Sequence, residues 1–380
     1  MEKYKSMYAR SRFTHLNNAG LSPISRPATD ALLYWTERLH QEGLFASIEL
    51  FSLTEQTRAQ LADFHGAKAD DVSFYLSTAN GISQLAFGFP FKSGDEIVLW
   101  DQEYPSNAYP WYEAADRTGA RVIVARSNSD LSTPVENLKA CLTEKTKAIV
   151  FSWVQFRTGE CTNLRELTDL AKARGILTFA DIIQGAGVIP FDFSKSGLDA
   201  AVGGSYKWLT SPLGVGYLLA TPSLREQLQP SAVGAMTFGG PDVPTRWPNT
   251  PQAGPFKFEP GGKAILEIAA FGATLSLFKE CGIQAIHTEA LRISGLLQQT
   301  LLELGYQIHS PTGARQKSPV VNFASGPSAA LRTLDEIEQA LQRNQISYGR
   351  RDPGIRLAPH FFNTEEDINR VARALKQPPN

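Results

Sequence analysis

Between residues 72 and 219 the chain alternates short apolar runs with longer amphipathic segments, and this alternation constrains the fold more than any other feature. Apolar runs of strand length recur at 72–76, 97–100, 122–125, 147–151, 176–181 and 214–219. Segments with helical periodicity separate most of these runs, at 82–87, 110–118, 134–142 and 163–174. Strands connected through helices of this size predict an α/β fold with a mostly parallel sheet that is covered on both faces.

A smaller unit is predicted after the alternating region. Residues 234–262 are rich in Gly, Pro and Thr and form a long irregular connection, after which helices are predicted at 264–278, 287–304, 334–344 and 364–375 and strands at 319–323 and 355–357. Helical spacing also covers residues 27–65, ahead of the first strand. We predict a large domain over residues 17–255 and a small α+β domain formed by residues 1–16 and 256–380.

The composition excludes several classes of protein. Hydrophobic residues make up 42% and charged residues 20%, and the formal net charge is -1, so nothing favours binding to nucleic acid or to an acidic membrane. The cysteines, Cys141, Cys161 and Cys281, are far apart, which predicts a reducing compartment without disulfides or a cysteine metal site. No signal core and no apolar run of membrane-spanning length occurs, so a cytoplasmic enzyme or binding protein is expected.

One lysine has unusual neighbours. Lys207 lies between Tyr206 and Trp208 and follows the apolar run 198–202. Lysine is rarely buried, and burial would lower the pKa of its amine and make it nucleophilic near neutral pH. Such an amine can form a Schiff base with an aldehyde, including that of pyridoxal phosphate. The alternative is a surface lysine whose alkyl stem lies over the two aromatic rings.

Three further features follow predicted strands, at the edge of a parallel sheet where ligands bind. The small-residue turn 77–81 runs into a helix, and its backbone N–H groups would suit a phosphate. Tyr104 could stack on a planar ring or simply pack in its loop. Asp181 ends an apolar strand and could pair with a pyridinium nitrogen or cap a helix. Together with Lys207, these groups complement the phosphate, ring, ring nitrogen and aldehyde of pyridoxal phosphate.

These motifs resemble those of the class V aminotransferase family, which consists of pyridoxal phosphate enzymes of fold type I with an aspartate aminotransferase-like fold. The family includes cysteine desulfurases, kynureninases and isopenicillin N epimerase-like proteins. The resemblance extends from Leu16–Gly20 to the closing segment 356–367. Its most specific parts are the spacing of Asp181, Gln184 and Lys207 and the Arg…Asn-Thr-Glu-Glu ending.

The resemblance also implies roles for individual residues. Lys207 would form the Schiff base with the cofactor and shuttle protons at the substrate Cα, and Asp181 would pair with the pyridine nitrogen. Arg356 would bind the substrate α-carboxylate in a bidentate pair that lysine cannot reproduce, the alternative being a surface arginine. The other implied contacts are Gln184 with the phenolic oxygen of the ring, Tyr104 with the ring face, Thr78, Ala79, Asn80 and Tyr206 with the phosphate, and Gln155 and Asn18 with the substrate.

Two departures from the family pattern stand out. Desulfurases carry a persulfide-forming cysteine in the loop before the last arginine, whereas the corresponding loop here, 347–353, contains none. This disfavours a persulfide-relay desulfurase but leaves open a direct C–S lyase. Many relatives also have a Gly-Thr pair through which a partner subunit reaches the phosphate. Here the corresponding stretch is 259–262, Glu-Pro-Gly-Gly, whose glycine N–H groups could replace the threonine.

The motifs do not select one reaction. A transaminase is the first expectation, a C–S or β-elimination lyase the second and an amino-acid epimerase the third, because all three begin with loss of a group from Cα. The substrate side is expected to involve residues 17–22, 156–157 and 238–252. Arg157, Arg350 and Arg351 could bind a second substrate carboxylate or could be solvated. A non-enzymatic alternative is a binding protein that kept the fold but lost catalysis.

The resemblance finally implies a homodimer, because active sites of this family lie between two subunits. A small-molecule amino acid is the expected substrate, and neither nucleic acid nor membrane is an expected partner.

Overall fold

A seven-stranded sheet forms the centre of the large domain. The computed structural model describes residues 1–8, 12–239, 250–326 and 332–376. The sheet has the order β1-β7-β6-β5-β4-β2-β3, and β7 runs antiparallel to both its neighbours whereas β2 to β6 run parallel. The strands are β1 (Val72–Tyr75), β2 (Glu96–Trp100), β3 (Arg121–Ala125), β4 (Thr146–Ser152), β5 (Leu177–Asp181), β6 (Ala200–Gly204) and β7 (Gly216–Ala220). The predicted mostly parallel sheet is confirmed.

Helices cover both faces of this sheet, which explains why its central strands read as continuous apolar runs rather than alternating ones. The helices of the whole chain are α1 (Glu2–Lys5), α2 (Arg26–Glu42), α3 (Leu44–Phe64), α4 (Thr78–Gly88), α5 (Tyr109–Thr118), α6 (Val135–Lys139), α7 (Leu164–Lys172), α8 (Phe193–Ser196), α9 (Pro222–Gln227), α10 (Ile265–Cys281), α11 (Ile283–Glu303), α12 (Leu334–Arg343) and α13 (Glu365–Lys376). Helix α4 begins at Thr78, four residues earlier than the predicted 82–87, so the small-residue turn is the first turn of a helix.

A second sheet, antiparallel throughout, forms the C-terminal part. Its order is β10-β11-β9-β8, with β8 (Gln307–Ile308), β9 (Val321–Ala324), β10 (Gly349–Arg351) and β11 (Gly354–Leu357). Residues of α11, α12 and α13 form a common core with it. One expectation was wrong here: residues 347–353 are not wholly a loop, because 349–351 pair with β11. The sequence Gly-Arg-Arg has no apolar run, and the pairing is set by the hairpin register instead.

The N-terminal segment and α10 connect the two parts of the chain. Thr14 and Asn17 form isolated bridges with Ile346 and Ala358, beside the small sheet. Helix α10 packs against α2 and α3. The division into residues 17–255 and the remainder stays a prediction. In the part of the chain that the structure describes, no helix is long and apolar enough to span a membrane.

Two glycines bring the strands β6 and β7 close to their neighbours at the edge where β6 ends. A Cβ at Gly203 would lie 2.3 Å from the Tyr217 ring, and a Cβ at Gly216 would lie 2.2 Å from the Ser77 carbonyl carbon. A larger residue at position 216 would therefore push β7 away from the start of α4, and one at position 203 would push β6 away from the Tyr217 ring. This close packing fixes the position of Thr78, whose hydroxyl donates to the Gly203 carbonyl at 3.1 Å.

We predict that Gly216→Ala lowers the free energy of unfolding by about 1–3 kcal/mol, the usual effect of forcing an extra methyl group into packed structure. Urea denaturation measures this change. Gly295→Ala in α11 is the matched control, since an added Cβ there has no neighbour within 4 Å and alanine favours a helix by up to about 1 kcal/mol. Equal stability of wild type and Gly216→Ala would contradict the close approach.

Candidate active site

Lys207 is buried at the centre of the site. It follows β6, and only 8% of the residue is exposed, so the surface-lysine alternative does not hold. Its ammonium lies 5.5 Å from the centroid of the Tyr104 ring and 5.8 Å from that of Tyr206. Burial lowers the pKa of Lys207 to about 8; Asp181 opposes this shift, and Arg356 and Arg351 add to it. A substantial fraction of the amine is therefore neutral and nucleophilic near physiological pH.

Asp181 is a buried carboxyl group at the end of β5. Its Oδ1 accepts the backbone N–H of Ile183 at 2.9 Å, and burial raises its pKa to about 6 although this bond and Lys207 act in the opposite direction. The helix-cap alternative does not hold, because residues 182–190 form turns rather than a helix. A carboxyl group held this way can accept a further, charged N–H donor, which would lower its pKa again.

Gln184 is fixed in place by two hydrogen bonds on opposite ends of its amide. Its Nε2 donates to the carbonyl of Ala19 at 3.0 Å, and its Oε1 accepts from the indole N–H of Trp208 at 3.0 Å. The residue next to Lys207 therefore orients Gln184. One N–H of the amide remains for a ligand oxygen, which fits the predicted contact with a phenolic group.

The start of α4 provides the predicted anion site. Ser77 caps the helix, because its Oγ accepts the N–H of Asn80 at 3.2 Å and donates to the Asn80 side-chain oxygen at 2.7 Å. The N–H groups of Thr78 and Ala79 have no partner in the described part of the chain, as expected for a first helical turn. They and the helix dipole can bind a phosphate. The Asn80 N–H already donates to Ser77 Oγ, so it can bind a phosphate only in exchange for that hydrogen bond.

Two aromatic side chains border the lysine. Tyr104 is 40% exposed and packs edge-to-face against Phe156, with ring centroids 5.2 Å apart. Its accessible ring, close to the Lys207 amine, can cover one face of a planar cofactor. Tyr206 is half-buried, and its pKa is raised by burial and by the nearby Asp181 and Tyr104. Its phenol therefore stays protonated and able to donate.

Arg356 is the second buried cation of the site. Only 1% of it is exposed; it donates to the Phe156 carbonyl at 2.6 Å and to the Asn17 side-chain oxygen at 3.3 Å, while its buried Nε has no partner. Burial lowers its pKa to about 9, and Arg351 adds to this shift. None of the described carboxylates forms an ion pair with Arg356. The contrast is Arg58, equally buried, which pairs with Glu259 at 2.7 Å.

The two remaining predicted substrate residues are placed differently. Gln155 is fully buried, its Nε2 lies 3.4 Å from Glu103 Oε1, and its own Oε1 is unpaired. Asn18 donates to the Ala358 carbonyl at 2.8 Å and accepts from Ser22. Its amide therefore ties the N-terminal segment to β11, and its role towards substrate stays a prediction.

The structure also shows three polar residues that the sequence did not single out. Asn17, not its neighbour Asn18, contacts Arg356. Asn322 on β9 pairs with Arg356 in register and donates to the Arg351 carbonyl at 2.8 Å. Glu103 is buried beside Tyr104. Asn17 and Glu103 lie within sequence motifs, and Asn322 lies opposite Arg356 in the small sheet. No pattern in the sequence indicates their contacts, which only the fold creates. Of the predicted substrate side, residues 240–249 lie outside the described residues.

These groups match the chemistry of pyridoxal phosphate and an amino acid. A buried lysine, a buried carboxyl group with capacity for a cationic donor, and a helix start with unpaired N–H groups correspond to its aldehyde, ring nitrogen and phosphate. The unpaired Nε of Arg356 requires an anion, which an amino-acid carboxylate provides. The residues present therefore fit this cofactor.

Comparisons with known proteins agree with the geometry. The profile of the family "Aminotransferase class-V" matches residues 22–351. The chain belongs to the class V aminotransferase family. The predicted family, fold type and enzyme class, a pyridoxal phosphate-dependent transferase or lyase, are thereby confirmed.

The proteins that this chain resembles are named for different reactions. It is 25% identical over 370 residues to the uncharacterized aminotransferase YcbU of Bacillus subtilis (strain 168), covering 97% of this chain and 95% of that protein. It is 26% identical over 373 residues to isopenicillin N epimerase of Streptomyces clavuligerus, with coverage of 95% and 94%. A solved complex of the cystine C–S lyase C-DES with its product cysteine persulfide superimposes with a TM-score of 0.88 at 24% identity, covering 97% of this chain and 98% of that one. This last similarity shows the fold alone.

We predict that the cofactor-free protein captures pyridoxal phosphate at a rate that rises with pH and reaches its midpoint near pH 8, because the neutral amine of Lys207 is the nucleophile and its pKa is about 8. Arg356→Met removes a charge that lowers this pKa, so the midpoint should move upward. Arg350→Met, whose charge is paired with Asp335 and Glu338, should leave it unchanged. Stopped-flow absorbance measures the rate. A wild-type midpoint near 10.5, the ordinary lysine value, would contradict the effect of burial.

Proposed function

We propose that this protein converts a small amino acid at its Cα, by transamination in the first instance, and that Lys207, Asp181 and Arg356 carry the reaction. The observation that supports this most is Arg356, a buried arginine without a carboxylate partner among the described residues, beside a buried lysine of lowered pKa. A buried, incompletely paired cation is costly unless a ligand anion completes it.

The cofactor, when bound, supplies an aldehyde for amino groups and a ring that withdraws electrons from the substrate Cα. The protein supplies position and proton transfer. Arg356 holds the α-carboxylate, and the Phe156 carbonyl and the Asn17 side-chain oxygen fix its guanidinium. Lys207 would hold the cofactor, and its free amine would be the base that takes the proton from the substrate Cα. Asp181 would hold the ring nitrogen in its protonated form, and the Tyr104 ring would cover one face of the cofactor and exclude water there.

The cysteines support a reaction without a protein persulfide. Burial raises the pKa of Cys161 to about 12, and burial also raises the pKa of Cys281, so neither favours the nucleophilic thiolate. The thiol of Cys141 donates to the Asn137 carbonyl. The hairpin 349–357 that carries Arg356 contains no cysteine. A direct C–S or β-elimination lyase needs none and is our second candidate, supported by the fold shared with C-DES; an epimerase is the third, supported by the relative of that name.

The β10–β11 hairpin favours a substrate with a second anionic group. Arg351 and Gly354 are register partners, as are Gly349 and Arg356, so both arginines lie on the same face of the hairpin. Arg351 lowers the pKa of both Lys207 and Arg356, so its charge acts on the site. It donates to the Arg350 carbonyl but has no ion pair with a described carboxylate.

The two other arginines considered from the sequence are less available. Arg350 lies on the opposite face of the hairpin and pairs with Asp335 and Glu338 on or beside α12. Arg157 lies 3.6 Å from the Asp352 carboxylate. Arg351 is therefore the cation that we assign to the side-chain acid of a dicarboxylic amino acid.

The reaction type is tested with a panel of amino acids that follows keto acid, sulfide and Cα-deuterium exchange together. We predict keto-acid formation with a matching change in the cofactor spectrum. Sulfide release without transfer of the amino group to the cofactor would instead show a lyase. Exchange of the Cα hydrogen alone would show an epimerase. Lys207→Ala is the control, expected to lack both turnover and the visible absorption that borohydride bleaches in the wild type. Wild-type protein that binds no pyridoxal phosphate would overturn the proposal.

The substrate class is tested with Arg351→Met. We predict that KM for aspartate or glutamate rises about tenfold or more, the effect of losing one charge-assisted hydrogen-bonded pair, whereas KM for alanine stays within about twofold. Arg350→Met is the matched control because its charge is paired outside the site. An equal loss for acidic and neutral amino acids, or a wild-type preference for neutral ones, would contradict the assignment.

We also propose that the protein is a homodimer, in the cytoplasm. Exposed apolar side chains cluster along the first half of α3, at Leu44, Phe45, Ile48 and Phe51. A set of large apolar residues on one helix marks an interaction surface more often than a free one.

We expect the double variant Phe45→Glu/Ile48→Glu to elute as a monomer in size-exclusion chromatography with light scattering. Leu302→Glu on α11, which replaces an exposed leucine outside this cluster, should leave the dimer intact. A wild-type monomer with full activity would refute the dimer.

A further inference from the structure

Glu103 is a buried acid that the reaction described above does not use. It lies three residues beyond the end of β2. Besides a long hydrogen bond from Gln155, its carboxyl group accepts three shorter ones, from the Ser152 N–H at 2.9 Å, the Ser152 hydroxyl at 2.5 Å and the Asn107 amide at 2.8 Å. Ser152 is the register partner of Asp181 on β5. Glu103 and Asp181 therefore lie on either side of β4, at the same edge of the sheet.

No cation among the described residues forms an ion pair with Glu103. Burial raises its pKa to about 7, Ser152 and Asn107 act in the opposite direction, and the negative charge of Asp181 raises it further. The other titratable or charged side chains on the segments around it are Asp101 and Tyr104 on its own loop, Arg157 and Glu160 beyond Gln155, Arg356 at the Phe156 carbonyl, and Lys207 after β6. A negative charge on Asp181 disfavours a second negative charge on Glu103 and therefore favours a proton there.

Gln155 is the neighbour through which such a proton would act. Its Nε2 lies 3.4 Å from Glu103 Oε1, a long hydrogen bond, while its Oε1 is buried without a partner. The two ends of a glutamine amide have nearly the same shape. Turning the amide over places its oxygen beside Glu103 and its NH₂ group where the unpaired oxygen now lies. A protonated carboxyl group then donates to that oxygen, and the unpaired acceptor disappears.

We propose that Glu103 is a positioning residue that carries a proton, donates it in a hydrogen bond to the side-chain oxygen of Gln155, and so presents the Gln155 NH₂ group to the substrate as a donor. Gln155 is followed by Phe156, whose carbonyl binds Arg356. An anionic substrate held by Arg356 accepts the added N–H donors, whereas the amide oxygen in its place would repel it. This inference rests on the proposed function for the identity of the acceptor, but not for the proton on Glu103.

The first test compares pH profiles of KM for the preferred amino acid. In the wild type KM should rise about tenfold as the pH increases through 7, because ionised Glu103 no longer donates to Gln155; tenfold corresponds to about one lost hydrogen bond. Glu103→Gln cannot ionise, and its NH₂ group is a permanent donor to Gln155 although it no longer accepts the Ser152 N–H, so its KM should lack the rise. Glu160→Gln, an acid whose backbone carbonyl bonds Gln155, is the matched control and should keep it.

The second test uses the cofactor-free protein and no turnover. Glu103 has an ordinary pKa of 4.5 in the unfolded chain and about 7 in the folded one, so the folded state is favoured by its proton at low pH. This stabilisation is lost as the pH rises from about 4.5 to about 7. The Tm of Glu103→Gln minus that of wild type should therefore increase between pH 5 and pH 8.

Two results would overturn the proposal: a constant Tm difference across this range, or a Glu103→Gln variant whose KM still rises through pH 7. If Glu103→Gln does not fold, Gln155→Met serves instead. It should raise KM at pH 6 and abolish the rise of KM through pH 7, and a retained rise would equally overturn the proposal. A protein that never forms the Lys207 linkage would refute the proposed function while leaving the Tm comparison intact.

Discussion

Burial of the Lys207 amine is the physical constraint on which the site depends. An ammonium group removed from water loses solvation that the distant charge of Asp181 restores only in part, and Arg356 and Arg351 oppose its protonation further. Burial also acts on the acids of the site, because it raises the pKa values of Asp181 and Glu103. The site therefore holds cations that need an anion and, at Asp181, a carboxyl group that can accept a further donor. A phosphorylated, cationic-ring cofactor with an amino-acid carboxylate satisfies both sets.

The fold keeps these groups buried by converging strand ends from distant parts of the sequence. Asp181 and Ser152 are register partners, Lys207 follows the adjacent β6, and Gly216 lets β7 approach the start of α4. Arg356 arrives from the second sheet and is held by the Phe156 carbonyl of the first part and by Asn17 of the N-terminal segment. Because three segments fix one guanidinium, the substrate-binding cation depends on how the small sheet lies against the large one. That dependence is a reason to expect substrate affinity to respond to changes far from the chemistry.

Much of this arrangement could be predicted from the sequence, and the failures have physical reasons. The large sheet followed from apolar runs, and Lys207, Asp181 and Arg356 followed from spacing that resembles a known family. Strand β10 was missed because Gly-Arg-Arg has no apolar periodicity and its pairing depends on the adjoining β11. Asn18 was predicted as a substrate contact, whereas Asn17, which contacts Arg356, was not singled out, because two adjacent asparagines are not distinguished by their pattern. Glu103 was overlooked because its partners, Ser152 and Gln155, are about fifty residues away along the chain.

The most direct test of the account is the site of covalent attachment of the cofactor. Purified holoprotein is reduced with borohydride, digested and mapped by mass spectrometry. The account predicts that reduced pyridoxal phosphate is attached to one peptide, the one that contains Lys207, and that the Lys207→Ala protein carries none. Attachment to a different lysine, or unmodified Lys207 in protein that has bound the cofactor, would contradict it.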